Sequence, residues 1–216
     1  MWLAQLSSYC FHLSETINKF CPLRTIDIAS LTRHPGFEGQ DVFFHLNHPV
    51  RWVRITGMVV AVDEFPARRI YTVDDSTGVC IECVVDVPKP DPKVKPGSED
   101  QPAPGIHRIR VPDGVDVGTV LDVKGGLALF RGNKQIKIEK ATVLRSTEQE
   151  LICWEKIDDF RRKVLETPWR LSDKTVRRCR KEAERIGDGV EDCITQLSNK
   201  TFLPLRDGRI FSPTAS

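Results

Sequence analysis

The stretch from His48 to Cys83, HPVRWVRITGMVVAVDEFPARRIYTVDDSTGVCIEC, constrains the fold of this chain more than any other. It contains three consecutive strand-like runs in which apolar and polar residues alternate. Val53, Ile55, Val59 and Val62 are β-branched, and such side chains fit a pleated, half-buried surface better than a helix. Gly57 falls where a long first strand is expected to bulge so that it can serve both sides of a closed sheet. Asp74-Asp75-Ser76-Thr77-Gly78 reads as a turn, because Asx and Ser/Thr side chains bond nearby backbone and Gly78 tolerates positive φ.

The expected strands are Val50–Glu64, Arg68–Val73, Val79–Val87, Gly118–Phe130 and Lys134–Leu144. The fourth carries Gly125-Gly126 as a second bulge, and Gly132-Asn133 is the expected tight turn into the fifth. Odd-numbered residues of the third strand should face the core. A long bent strand, a short second one, a hairpin into a third and a later hairpin make a mainly β chain: a five-stranded OB-fold barrel.

Around the barrel, residues 1–40 are read as an N-terminal arm packed on it, with a short strand near Thr25–Ile28 and a helical turn near Asp27–Leu31. Residues 41–168 form the barrel and its following helix. Residues 88–106 hold six prolines and almost no apolar side chains, so they are expected to be a disordered insertion. Ser146 and the acidic residues after it start a helix, Glu148–Glu166, that Pro168 ends. Residues 169–216 are a helical extension and tail. Its first helix runs from about Ser172 to Ile186, with Arg and Lys on one face, and a second spans Val190–Leu197.

A net charge of +2 and a pI near 8.2 do not by themselves announce a nucleic-acid binder, so that reading needs local charge. Arg51, Arg54, Arg68 and Arg69 flank the first turn. Lys124, Arg131, Lys134, Lys137 and Lys140 populate strands four and five. These are the loops between which an OB-fold holds oligonucleotides. Phe65, Tyr71 and Phe130 sit beside them, and a base stacked on an aromatic ring contributes about 1–3 kcal/mol. The candidate DNA-binding set is therefore Trp52, Arg54, Phe65, Arg68, Arg69, Tyr71, Phe130, Arg131, Lys134 and Lys137. The second reading is that Tyr71 and Phe65 cap the barrel and the charges solvate it; Tyr71 shares parity with Val73. Trp52, on the outer face, could serve DNA, a partner or the arm.

The helix Glu148–Glu166 carries Leu151, Trp154, Ile157, Phe160, Val164 and Leu165 on one stripe. A helix in this place usually plugs or flanks the barrel, so one reading of the stripe is purely intramolecular; its width beyond what one small barrel needs points to the other, a partner helix. Catalytic signals are weak. Adjacent Asp74 and Asp75 point apart, and no third group joins them. Cys80 and Cys83 lie in one strand with their thiols on opposite sides, and His45 and His48 lack further ligands. There is no Walker loop, dinucleotide glycine pattern or zincin motif. A non-enzymatic binding protein without cofactor or metal is expected. Seven irregularly spaced cysteines suggest reduced thiols. No apolar run approaches bilayer length, and the N-terminus lacks the pattern of a secretory signal.

The run FFHLNHPVRWVRITGMVVAVDEFPARRIYTVDDSTGVCIEC resembles the STN subunit family of the CST telomere-capping complex, in its fungal form. Residues 41–168 carry the resemblance. Tyr71-Thr72-Val73 and Asp74–Gly78 are also similar to the replication protein A middle subunit. Asn47-His48-Pro49 and Glu64-Phe65-Pro66 favour the telomeric family. The resemblance implies an OB-fold that pairs with a smaller OB-fold subunit, TEN. The pairing would use the helix after the barrel, matching Leu151, Trp154, Ile157, Phe160 and Val164 here, with Arg161 beside them. It also implies telomeric single-stranded DNA contact at Phe130-Arg131, protection of chromosome ends in the nucleus, and links to a large CST subunit and polymerase α–primase. Family members that carry winged-helix domains extend beyond this chain, which is expected to be a fragment or short form. The alternatives are a general replication protein A-like single-strand binder and an OB domain of an enzyme such as an aminoacyl-tRNA synthetase.

Overall fold

The computed structural model describes residues 8–35, 37, 39–87 and 111–185. The insertion at 88–106 and the helix at Val190–Leu197 lie outside them. The chain divides into two compact units, Met1–Arg170 and Leu171–Ser216. In the second unit, residues 173–185 form a helix whose Cys179 is buried.

The first unit is built on β4 (Trp52–Phe65), β5 (Arg68–Asp74), β6 (Cys80–Asp86), β7 (Val120–Phe130) and β8 (Asn133–Val143). β4 pairs antiparallel with both β5 and β7, and β6 pairs parallel with β8, so the sheet closes on itself. This is the OB-fold barrel. Val53, Ile55, Val59, Tyr71, Val73, Ile81, Cys83, Leu121, Val123, Ile136 and Ile138 fill it. Ile81, Cys83 and Val85 point inward as their parity requires, and Cys80 points out.

The arm has its expected helical turn, which starts two residues earlier, but not its expected strand. Thr25–Ser30 is a helix (α1), not a strand; the strand is Phe20–Pro22 (β1), which pairs parallel with Trp52–Arg54. The sheet therefore has six strands rather than five. Thr25 and Ile28 are three apart and both buried, a helical period that so short a segment hides. Phe43–His45 (β2) and His48–Val50 (β3) form a separate hairpin, so the first barrel strand begins at Trp52, not Val50. Neighbouring Phe43 and Phe44 point to opposite sides. Phe43 joins the barrel core, and Phe44 joins a second cluster with Phe11, Ile17 and Val42, against which Trp169 packs.

The bulge in β4 lies between Val59 and Ala61 rather than at Gly57. Gly57 is needed for a different reason: a Cβ there would run into the Asp74 carbonyl. The second bulge lies at Lys124/Gly125, as expected. The β7–β8 turn consists of Arg131 and Gly132, one residue earlier than expected, both at positive φ (50° and 87°). Two successive residues of that conformation match the twist of a hairpin.

After the barrel, Ser146 caps Thr147–Phe160 (α2) by accepting from the Gln149 N–H at 3.3 Å. The helix then widens into a π turn, Arg161–Leu165, which buries Leu165 in the barrel core. A clasp holds the exit. Asn47 Nδ2 donates to the Trp169 carbonyl at 2.5 Å, Asn47 Oδ1 accepts from the Trp169 N–H at 2.8 Å, and His48 Nε2 lies 2.7 Å from the Thr167 carbonyl.

Candidate nucleic-acid interface and partner helix

The two loops that flank an OB-fold's binding cleft meet at one rim of this barrel. Phe65 ends β4, Arg68 starts β5, and Phe130 and Arg131 stand at the β7–β8 turn. The Arg68 guanidinium carbon is 5.0 Å from the Phe65 ring centre and 5.6 Å from that of Phe130, and Arg131 is 5.2 Å from Phe130. Phe65 and Phe130 remain 46% and 41% exposed. Cations over ring faces hold the rings in place while leaving surface for another flat group. Residues 65 and 130 are far apart in sequence, and barrel closure alone brings them together.

The outer face of β5 and β6 is less favourable to phosphate. Glu82 and Asp86 are exposed there, Asp74 is half-buried, and Gln135 of β8 donates to Glu82. These carboxylates disfavour an anionic backbone on that face, whereas the rim carries cations.

Several expected contacts are engaged elsewhere. Tyr71 is 1% exposed and belongs to the core, so it offers no face for stacking. Arg54 Nε bonds Asp122 Oδ1 at 2.6 Å and its Nη2 lies 3.7 Å from the Cys153 thiol, beneath α2. Arg69 pairs with Glu64 at 2.6 Å and reaches the Tyr71 hydroxyl at 3.4 Å. Lys134 Nζ donates to the Ala29 carbonyl at 2.6 Å near the end of α1, and burial lowers its pKa. Parity anticipates the burial of Tyr71, but charge pattern gives no sign of Asp122, Glu64 or Ala29 as partners, because each comes from another element. Lys137 is exposed on β8, and Trp52 sits on the barrel wall opposite Gly126, away from the rim.

The helix divides its apolar residues between two faces. Cys153 and Ile157 are buried, and Phe160 packs on the barrel core. Ile157 and Phe160 are thus structural rather than free for a partner. Trp154 lies under the Arg24 guanidinium at 4.8 Å, its indole N–H buried without an acceptor among the described residues. Arg161 Nη1 bonds Asp27 Oδ1 at 2.5 Å, and Asp27 caps α1 through the Arg24 N–H. Val164 is half-buried. The face that remains outward carries Leu151 at 51% and Ile152 at 43% exposure. Ile152 falls off the stripe and was missed. The extra apolar residue at that off-stripe position was the available signal.

Comparisons with known proteins agree with the sequence resemblance. Residues 24–90 match the family model for telomere regulation protein Stn1. The chain is 23% identical over 145 residues to protein stn1 of Schizosaccharomyces pombe, covering 67% of this chain and 40% of that protein. It is 30% identical over 139 residues to the CST complex subunit STN1 of Bos taurus, covering 60% and 37%. The chain thus spans about two fifths of the length of these relatives. Among solved structures, one of yeast Stn1 and Ten1 superposes with a TM-score of 0.61 at 18% identity, over 82% of this chain and 90% of that one. The S. pombe Stn1–Ten1 complex gives 0.50 at 20% identity, over 67% and 93%. These likenesses establish the shared fold, and the resemblance to the STN family is borne out.

Proposed function

We propose that this chain is the barrel portion of a telomere-capping subunit, one that binds single-stranded telomeric DNA at its rim and pairs through α2 with a small OB-fold partner of the TEN type. The observation that carries the reading is the cluster of Phe65, Arg68, Phe130 and Arg131. It unites exposed rings and cations from the two loops that an OB-fold uses for nucleic acid. The outward pair Leu151 and Ile152 supplies the partner surface, since two adjacent aliphatic side chains gain by leaving water together. Barrel and helix together serve binding rather than catalysis. The nucleus and chromosome ends follow as the place of action, with a large CST subunit and polymerase α–primase as further partners of the assembled complex.

The test is co-expression of this chain with a TEN-type subunit, followed by size exclusion and anisotropy with labelled telomeric single strand. A 1:1 complex that binds single strand in preference to duplex supports the reading. Separate elution together with no preference for single strand overturns it.

A further inference from the structure

We propose that the outer wall formed by β1, β4 and β7 is a second base-stacking platform for single-stranded DNA, built on Phe20 and Trp52 and joined to the rim along β7. The inference rests on the DNA-binding reading above and extends it to a surface outside the OB-fold cleft.

Strand register places four residues in one cross-strand row: Phe20 opposite Trp52, Trp52 opposite Gly126, and Gly126 opposite Lys137. The missing side chain at Gly126 seats the indole, since a Cβ there would lie 3.1 Å from the Trp52 ring. Phe20 meets Trp52 edge-on, with centroids 5.8 Å apart and planes at 68°. An aromatic pair whose only task was to cover its own sheet would be buried, but Phe20 is 41% exposed. An open cavity of about 220 Å³ lies beside the two rings, bounded also by Asn18, Lys19 and Glu139.

Charge identifies the occupant, since Lys19, Arg51 and Lys124 outnumber the carboxylate of Glu139 beside the rings. Arg51 stands 5.9 Å from the Trp52 ring and Lys124 5.9 Å from the Phe20 ring. Lys124 is in register with Lys140 on β8, and both Lys137 and Lys140 are exposed. An apolar protein surface laid here would strip water from these cations without pairing them. A nucleic-acid strand would place bases on the rings and phosphates among the amines. The wall is also continuous with the rim. Gly126 and Phe130 lie four residues apart on β7, a separation of about 13 Å. A strand held at Phe130 therefore reaches Trp52 if it is long enough.

The test compares oligothymidylates of about 5 and about 16 nucleotides, the span of sites seen on OB-folds, by anisotropy with the full chain. Phe20→Ala/Lys124→Ala should weaken the long oligonucleotide about tenfold and leave the short one unchanged. Trp52→Phe keeps a ring over Gly126 and serves as the fold-preserving variant. The quenching of tryptophan emission by the long oligonucleotide should be largely lost in it. Unchanged affinity in the double variant together with unchanged quenching in Trp52→Phe overturns the platform while the rim reading stands. If Phe20→Ala/Lys124→Ala loses the small OB-fold partner but not the long oligonucleotide, the wall is a protein interface and the platform is overturned. If the wild-type chain binds neither oligonucleotide, the rim reading and the platform fall together.

Discussion

The Thr25 hydroxyl donates to Asp75 Oδ1 at 2.5 Å, joining the first turn of α1 to the β5–β6 turn across fifty positions of sequence. Asp75 also accepts from the Thr25 N–H at 2.8 Å, the Thr77 N–H at 3.2 Å and the Thr77 hydroxyl at 2.5 Å. The carboxylate is 3% exposed, and these four donors take the place of water. The DDSTG turn thus does more than reverse the chain: its second aspartate fastens the N-terminal arm to the barrel.

Asp75→Ala should therefore lower stability by about 2–3 kcal/mol, because a buried backbone N–H loses a charged acceptor. Asp74→Ala should cost much less, since among the described residues the Asp74 carboxylate bonds the exposed Ser76 N–H alone, at 2.8 Å. Urea unfolding of both variants checks the difference, and equal midpoints would refute the anchoring role.

At the rim, Phe130→Ala/Arg131→Ala should weaken single-strand binding at least tenfold, since a stack and a phosphate contact are lost together. The slope of log affinity against log salt should become shallower by about 0.7, one phosphate contact on a single strand. Tyr71→Phe should leave binding unchanged, because that ring faces the core. Anisotropy titrations at several salt concentrations measure all three.

On α2, Leu151→Asp/Ile152→Asp should abolish association with the small OB-fold subunit while shifting monomer stability by no more than about 0.5 kcal/mol. Ile157→Asp should instead unfold the monomer, because it buries an unpaired carboxylate where a 3% exposed side chain now packs. Size exclusion with circular dichroism separates the two outcomes. A complex that survives the double substitution would remove Leu151 and Ile152 from the interface.

Thiol chemistry should follow burial. Cys80 is exposed and should react rapidly with a neutral disulfide reagent in the native protein. Burial pushes the Cys21 thiol up to about 12 and raises that of Cys83 as well, so neither forms thiolate at neutral pH. Both should react only on unfolding. Labelling followed by peptide mass analysis checks this, and fast native labelling of Cys83 would contradict the closed barrel.

Much of this architecture is local, and so was legible in the sequence. Alternation along β5 and β6 needs only neighbouring residues, and both strands fall within a residue of their expected bounds. The α2 cap at Ser146 is equally local. The arm was harder to read. β1 has three residues, too few for a period, and it is a strand only because β4 offers it a parallel edge. Site residues follow the same division. Arg54, Arg69 and Lys134 are assigned by the same loop positions as the rim set, and loop position does not say which cations the folded chain engages itself.

What the residues determined by themselves was the barrel: β-branched alternation, paired turns and glycines at points of close approach admit little else. What only the three-dimensional arrangement decided was the use of each polar and aromatic group. Asp122, Glu64 and Ala29 engage Arg54, Arg69 and Lys134, while barrel closure sets Arg68 between Phe65 and Phe130. The physical reason is that burial by alternation acts over two or three residues, whereas a charge or a ring is satisfied by whatever group the closed sheet brings within a few ångströms.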